Sequence, residues 1–178
     1  MPHAGNAKNA LTRAMRGGQF NSACATVTST SVTFSNCTDT ESGLTTTFNG
    51  SISVAAGAVT WGLTLTLSGT QDSTTVNLNM HLSGKMTVTA TKVTGNSLTE
   101  FSGSASANGQ SVSFGLDNAA IVDLTYQSSP NFCVTAGSVE VKRVWTTKPS
   151  GASGSAYADA GVKLTWTGCG AFTVAHST

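Results

Sequence analysis

Residues 76–90 read VNLNMHLSGKMTVTA, in which apolar and polar side chains alternate along the whole stretch. The even positions are apolar and the odd positions are polar. A period of two is typical of a β-strand with one face covered and the other in water, the usual arrangement in antiparallel sheets. Gly84 interrupts the apolar side in the middle of this predicted strand. A residue without a side chain at that point needs a physical reason.

Three other glycines occupy the same place relative to a following pair of apolar positions. The four stretches are GSISV, GKMTV, GSASA and GSVEV, which begin at Gly50, Gly84, Gly103 and Gly137. Glycine weakens the interior of a strand, so four glycines in one register indicate a common cause. We interpret them as bend points, since inward glycines let a coiled sheet turn without crowding its interior. Coincidence in a chain with 19 glycines is the alternative.

The same alternation recurs along most of the chain after Cys24. It covers residues 32–34, 48–54, 59–67, 101–107, 112–116, 122–126, 139–145, 162–166 and 171–175. Asn108–Gly109 predicts a two-residue hairpin turn of type I′, and residues 55–59, 69–74 and 116–119 are further turn candidates. Residues 147–161 form the one long loop. We therefore predict an antiparallel meander of roughly nine to eleven strands.

The fold class that follows is all-β. Long bent strands with short turns favour a closed or nearly closed, strongly coiled β-barrel, and closure would also remove exposed sheet edges. A two-sheet β-sandwich is the alternative. One short helix is predicted near the N-terminus, with Asn6 as its N-cap and Gly17 at its end. We expect residues 1–20 to pack on a single β domain formed by residues 21–178.

The composition limits the kinds of function. The chain has 178 residues, which is the size of one domain, and only 10% of them are charged, against about 25% in typical globular proteins. A net charge of +1 argues against nucleic-acid binding, which requires a basic surface. A polar surface with few charges suits extracellular proteins and proteins that self-associate.

Four cysteines, Cys24, Cys37, Cys133 and Cys169, predict two disulfides in an oxidising compartment. Of the three pairings we favour Cys24–Cys37, which a hairpin would bring together, with Cys133–Cys169. Residues 1–20 lack the apolar region of a signal peptide, and no stretch of 18 apolar residues predicts a transmembrane helix. We expect an exported protein, periplasmic, secreted or on the cell surface, whose leader was removed.

Two groups of residues are candidates for ligand binding. His81 lies with Asn77 and Asn79 on the polar side of one strand, a pattern that suits a glycan or a protein partner. We favour an ordinary solvated strand face, since alternation requires one in any case. Arg143 and Trp145 lie on an apolar side, where an arginine needs a partner. A carboxylate such as Asp123 or Glu100 could supply one, or Arg143 could anchor an anionic ligand. We favour an arginine at the barrel mouth, with its stem packed on Trp145 and its head in water.

No catalytic, metal or cofactor motif is present. The chain lacks G-x-S-x-G and H-E-x-x-H, and it has only eight acidic residues. The sequence therefore favours a non-enzymatic binding module that takes a small apolar ligand inside the barrel or a glycan on a polar strand face. The alternatives are a structural, adhesive or filament subunit that self-associates, an outer-membrane β-barrel, and a hydrolase whose site is assembled from distant residues.

Overall fold

The computed structural model describes residues 24–71, 73–129 and 131–177. The predicted N-terminal helical segment, residues 1–20, lies outside these ranges. Within them the chain forms ten strands and one 3₁₀ turn at Ser155–Tyr157. The strands are β1 (Ala25–Val27), β2 (Ser31–Glu41), β3 (Leu44–Ala55), β4 (Ala58–Gln71), β5 (Thr74–Val88), β6 (Lys92–Ala107), β7 (Gln110–Gln127), β8 (Cys133–Thr147), β9 (Ala160–Gly168) and β10 (Ala171–His176).

The ten strands follow one another in a single antiparallel sheet. Each strand pairs with its neighbours in chain order, from β1 to β10. The predicted all-β antiparallel meander is therefore confirmed. The sheet is open, because β1 and β10 are its two edges and do not pair with each other. Closure into a barrel is not confirmed, and the described strands form one sheet rather than the two sheets of a sandwich.

The two disulfides have the predicted partners. Cys24 is bonded to Cys37, and Cys133 is bonded to Cys169. The first bond ties the beginning of the described chain to β2, the strand next to the edge strand β1. The second ties the first residue of β8 to the turn between β9 and β10. Disulfides of this kind are typical of an oxidising, exported environment.

The hairpin turns follow local backbone chemistry, with one exception. Asn108 and Gly109 have φ angles of 51° and 74°, as the predicted type I′ turn requires, and Ala56–Gly57 repeats the pattern. The turn predicted at residues 116–119 is wrong, since these residues lie within the 18-residue strand β7. Asn118 is paired with Thr99 on one side and Arg143 on the other. Pairing with two neighbouring strands outweighs the local turn preference of Asp117 and Asn118.

Alternation gives the sheet two chemically different surfaces. One row of paired residues crosses what we call the apolar face: Phe48, Leu65, Met80, Phe101, Leu116 and Trp145. A row of the opposite surface, the polar face, contains Asn49, Thr64, His81, Glu100, Asp117 and Val144. Among the apolar side chains that the structure describes, only Val32 and Cys37 are fully buried, with 8% and 1% of their surface exposed. The sheet does not cover its own apolar face.

The four glycines in the shared register have two different causes. Gly84 is paired with Trp61, and a methyl group at Gly84 would meet the Trp61 indole, which fills the space that Gly84 leaves. The space that Gly103 leaves is filled in the same way by the ring of Phe114, its partner on β7. Gly50 and Gly137 instead have φ angles of 122° and 105°, and both lie beside irregularities in strand pairing. The four glycines are therefore explained by two features, cross-strand aromatic rings and irregular strand pairing, and not by a single bend mechanism.

Gly84→Ala is expected to lower the free energy of unfolding by about 1–3 kcal/mol, because its methyl group would collide with the Trp61 indole and with the backbone carbonyl oxygen of Asn96 on β6. Urea denaturation followed by tryptophan fluorescence measures this loss. Gly62→Ala is the control, since a methyl group at Gly62 meets no atom. Equal stability of the two variants would show that the indole can move aside at no cost.

Candidate functional site

A groove on the polar face brings together side chains from five neighbouring strands. It consists of two depressions, of about 510 and 380 Å³, that share Asn79 and Ser102. The register explains the arrangement, because Asn77, Asn79 and His81 of β5 lie opposite Ser104, Ser102 and Glu100 of β6. The polar side chains that line the groove are Thr66, Ser68, Asn77, Asn79, His81, Glu100, Ser102, Ser104, Ser113, Asp117, Thr146 and Thr147.

The groove is rich in groups that both donate and accept hydrogen bonds. Its amides and hydroxyls have both capacities, whereas its carboxylates only accept when ionised. Leu78 and Phe114 also border the larger depression, but their side chains lie on the apolar face, where both lie against Gly103. A site of this composition suits a neutral ligand that carries several hydroxyl or amide groups.

Glu100 and Asp117 lie directly opposite each other on β6 and β7. Like charges in this position destabilise a sheet by roughly 0.2–1 kcal/mol. The ion pairs in the described residues are Lys92–Asp123 at 2.9 Å and Lys142–Glu140 at 3.2 Å, so neither groove carboxylate has a cationic partner there. These carboxylates are therefore available as hydrogen-bond acceptors for a ligand.

His81 is half-buried and lies between Thr64 and Glu100 in the strand register. Its imidazole lines the smaller depression together with Glu100 and Asp117. Thr64, its register partner on β4, carries a hydroxyl, but among the described residues no hydrogen bond joins that hydroxyl to the imidazole as a nucleophile is joined to its base. His81, Glu100 and Asp117 are spread over three strands spaced about 4.8 Å apart, and no described group of three such side chains is close enough to hold a metal ion.

Arg143 and Trp145 do not belong to the groove, because they lie on the apolar face. The guanidinium of Arg143 donates to the carbonyl oxygen of Ala158 at 3.3 Å. The backbone N–H of Trp145 donates to Asp159 Oδ1 at 2.9 Å, and its ring lies 5.1 Å from that of Tyr157. These contacts hold the long loop against the end of β8. The two residues have a structural role here.

The predicted partners of Arg143 are wrong. Asp123 and Glu100 lie on the polar face, opposite to Arg143, and Asp123 is paired with Lys92. The predicted ligand residues therefore separate into two groups. Asn77, Asn79 and His81 come together in the groove, while Arg143 and Trp145 lie on the other side of the sheet.

The sequence-based prediction missed the groove residues of β6 and β7. Glu100 was considered only as a partner for Arg143, and Ser102 and Asp117 were not considered as binding residues. The available signal was the alternation itself, because each of these residues falls on the polar side of an alternating strand. Alternation identifies the face of the sheet on which a residue lies. Only the strand register shows that these residues lie beside Asn79 and His81.

Comparison of the chain with protein-family models, with curated proteins and with solved structures found no match. Among the residues that the structure describes, none belongs to a helix long and apolar enough to span a bilayer. Function is therefore inferred from the chemistry of the groove and of the two sheet faces.

Proposed function

We propose that this protein is an exported, non-enzymatic binding module whose polar groove binds a glycan. The observation that carries the proposal is the meeting of Asn77, Asn79 and His81 with the serines of β6 in one continuous depression. Sugar hydroxyls both donate and accept hydrogen bonds, as do the amides and hydroxyls of the groove.

Binding is favoured over hydrolysis by the way the polar groups are arranged. The described groove residues offer many hydrogen bonds, but they include no hydrogen-bonded pair of nucleophile and base around His81. An apolar ligand inside a barrel is not proposed, because the described strands enclose no interior. A glycan along an open groove needs no such enclosure.

The test is a glycan microarray probed with the fluorescently labelled, oxidised protein, followed by calorimetry with the best soluble oligosaccharide. Asn79→Ala is expected to weaken binding about tenfold, which corresponds to roughly 1.4 kcal/mol from lost hydrogen bonds. Asn79 is chosen for substitution because it lines both depressions.

Asn96→Ala is the matched control. Asn96 is also an exposed asparagine on the polar face, but it lies outside the groove and opposite Lys85. Its substitution is expected to leave the affinity unchanged. Absence of binding to every glycan on the array, or an equal loss in both variants, would overturn the proposed function.

A further inference from the structure

The apolar face of the sheet is incompletely covered, since central side chains such as Leu65, Met80 and Phe101 are only half-buried and others are exposed. Val54, Val141 and Val174, from three different strands of this face, have 48%, 47% and 61% of their surface exposed. Val88, Val112, Val162 and Phe172 are also exposed on the same face. Contiguous apolar patches larger than a few hundred Å² mark interaction sites on soluble proteins.

Strand geometry gives the size of this face. The six strands from β3 to β8 each have at least 12 residues. With strands about 4.8 Å apart and a rise of about 3.3 Å per residue, they form a surface of roughly 29 by 40 Å. The face is therefore on the order of 1100 Å².

The part of this chain outside the described residues is too small to cover that surface. It consists mainly of the 23 residues before Cys24. As one continuous helix about 35 Å long and 10 Å wide, they would shield roughly 350 Å². The helix predicted between Asn6 and Gly17 would shield about half of that. Most of the apolar face needs a larger partner.

We propose that two copies of this chain pack apolar face against apolar face and form a two-layer β-sandwich. Sheets stack about 10 Å apart with interdigitating side chains, and a twofold axis makes one apolar surface complementary to itself. The contact buries about 2200 Å² in total, which exceeds the roughly 1600 Å² of a standard stable interface. The proposal does not depend on the proposed function, and it leaves both polar grooves on the outside.

A second copy fits this face better than lipid does. One row across the face contains Thr99, Asn118 and Arg143, which are paired in register with one another and with Leu82. Lipid tails provide no hydrogen-bond partners for such side chains. A second copy can supply them, since a twofold axis that crosses this row places the polar groups of the two copies against each other.

The test is the mass of the oxidised protein in detergent-free buffer, measured by sedimentation velocity from about 0.1 to 100 μM. A dimer of twice 18.0 kDa is expected. The variant Val54→Lys/Val141→Lys places a cation on β3 and on β8 of the apolar face. It is expected to raise the dissociation constant at least 100-fold, because any face-to-face arrangement buries at least one unpaired lysine.

The matched control is Ile121→Lys/Val144→Lys. These side chains are as exposed as the first pair, at 55% and 43%, but they lie on the polar face. The control is expected to stay dimeric, and circular dichroism with thiol titration checks that every variant is folded and oxidised. A wild-type monomer at 100 μM, equal dissociation of both variants, or a monomer that floats with phosphatidylcholine vesicles would each overturn the proposal.

Discussion

Replacing Cys133 and Cys169 together by alanine is expected to lower the free energy of unfolding by about 4 kcal/mol. This disulfide closes a loop with a sequence separation of 36 residues, so its loss releases a large conformational entropy in the unfolded chain. It also connects the first residue of β8 to the turn between β9 and β10. Because β10 pairs only with β9, this hairpin is joined to the rest of the sheet by the pairing of β9 with β8 and by this disulfide.

Guanidinium denaturation of the oxidised proteins measures this effect. The comparison variant is Cys24→Ala/Cys37→Ala, which opens a loop with a sequence separation of 13 residues. It is expected to lose about 3 kcal/mol of unfolding free energy through chain entropy alone. Limited proteolysis adds a local measurement, because only loss of the Cys133–Cys169 bond should make residues 148–176 the first region to be cleaved. A loss of stability below about 1 kcal/mol would contradict the prediction.

The sequence predicts strands well in this protein because each strand carries its own alternation. The pattern of residues 76–90 correctly places Asn77, Asn79 and His81 on one polar surface. The disulfide partners are also predictable, since Cys24 and Cys37 are close in sequence and leave one remaining pair. These features depend on information within one or two strands.

Features that depend on several strands at once were not predictable. Whether a sheet closes depends on the twist and stagger accumulated over all its strands, which no single segment encodes. The composition of the groove depends on register, and a shift of one residue would move Glu100 or Asp117 to the other face. The register likewise excludes Asp123 and Glu100 as partners of Arg143, because it places both carboxylates on the opposite face.

The glycines show how one sequence pattern can have two physical causes. Gly84 and Gly137 precede similar pairs of apolar residues, GKMTV and GSVEV. The first leaves room for the Trp61 indole of the neighbouring strand, and the second has a backbone conformation that L-residues rarely adopt. Neither the ring position nor the φ angle is visible in the sequence.

Gly137→Ala is expected to lower the free energy of unfolding by about 3 kcal/mol or more, from two separate costs. The φ angle of Gly137 is 105°, where a side chain costs roughly 1–2 kcal/mol. A methyl group there would also collide with the backbone carbonyl oxygen of Asp123 on β7. Backbone atoms held by pairing on both sides cannot move aside as a side chain can, so the strand pair itself has to shift.

Two further glycines separate these costs. Gly170 has a φ angle of 72° but open space around it, so Gly170→Ala is expected to show only the conformational cost of about 1–2 kcal/mol. Gly62 has neither constraint, and Gly62→Ala is expected to be neutral or stabilising by up to about 1 kcal/mol. Guanidinium denaturation of the three variants should therefore rank them Gly62, Gly170, Gly137 in order of increasing loss. If Gly137→Ala costs no more than Gly170→Ala, the close approach of β7 and β8 at Asp123 does not constrain the sheet.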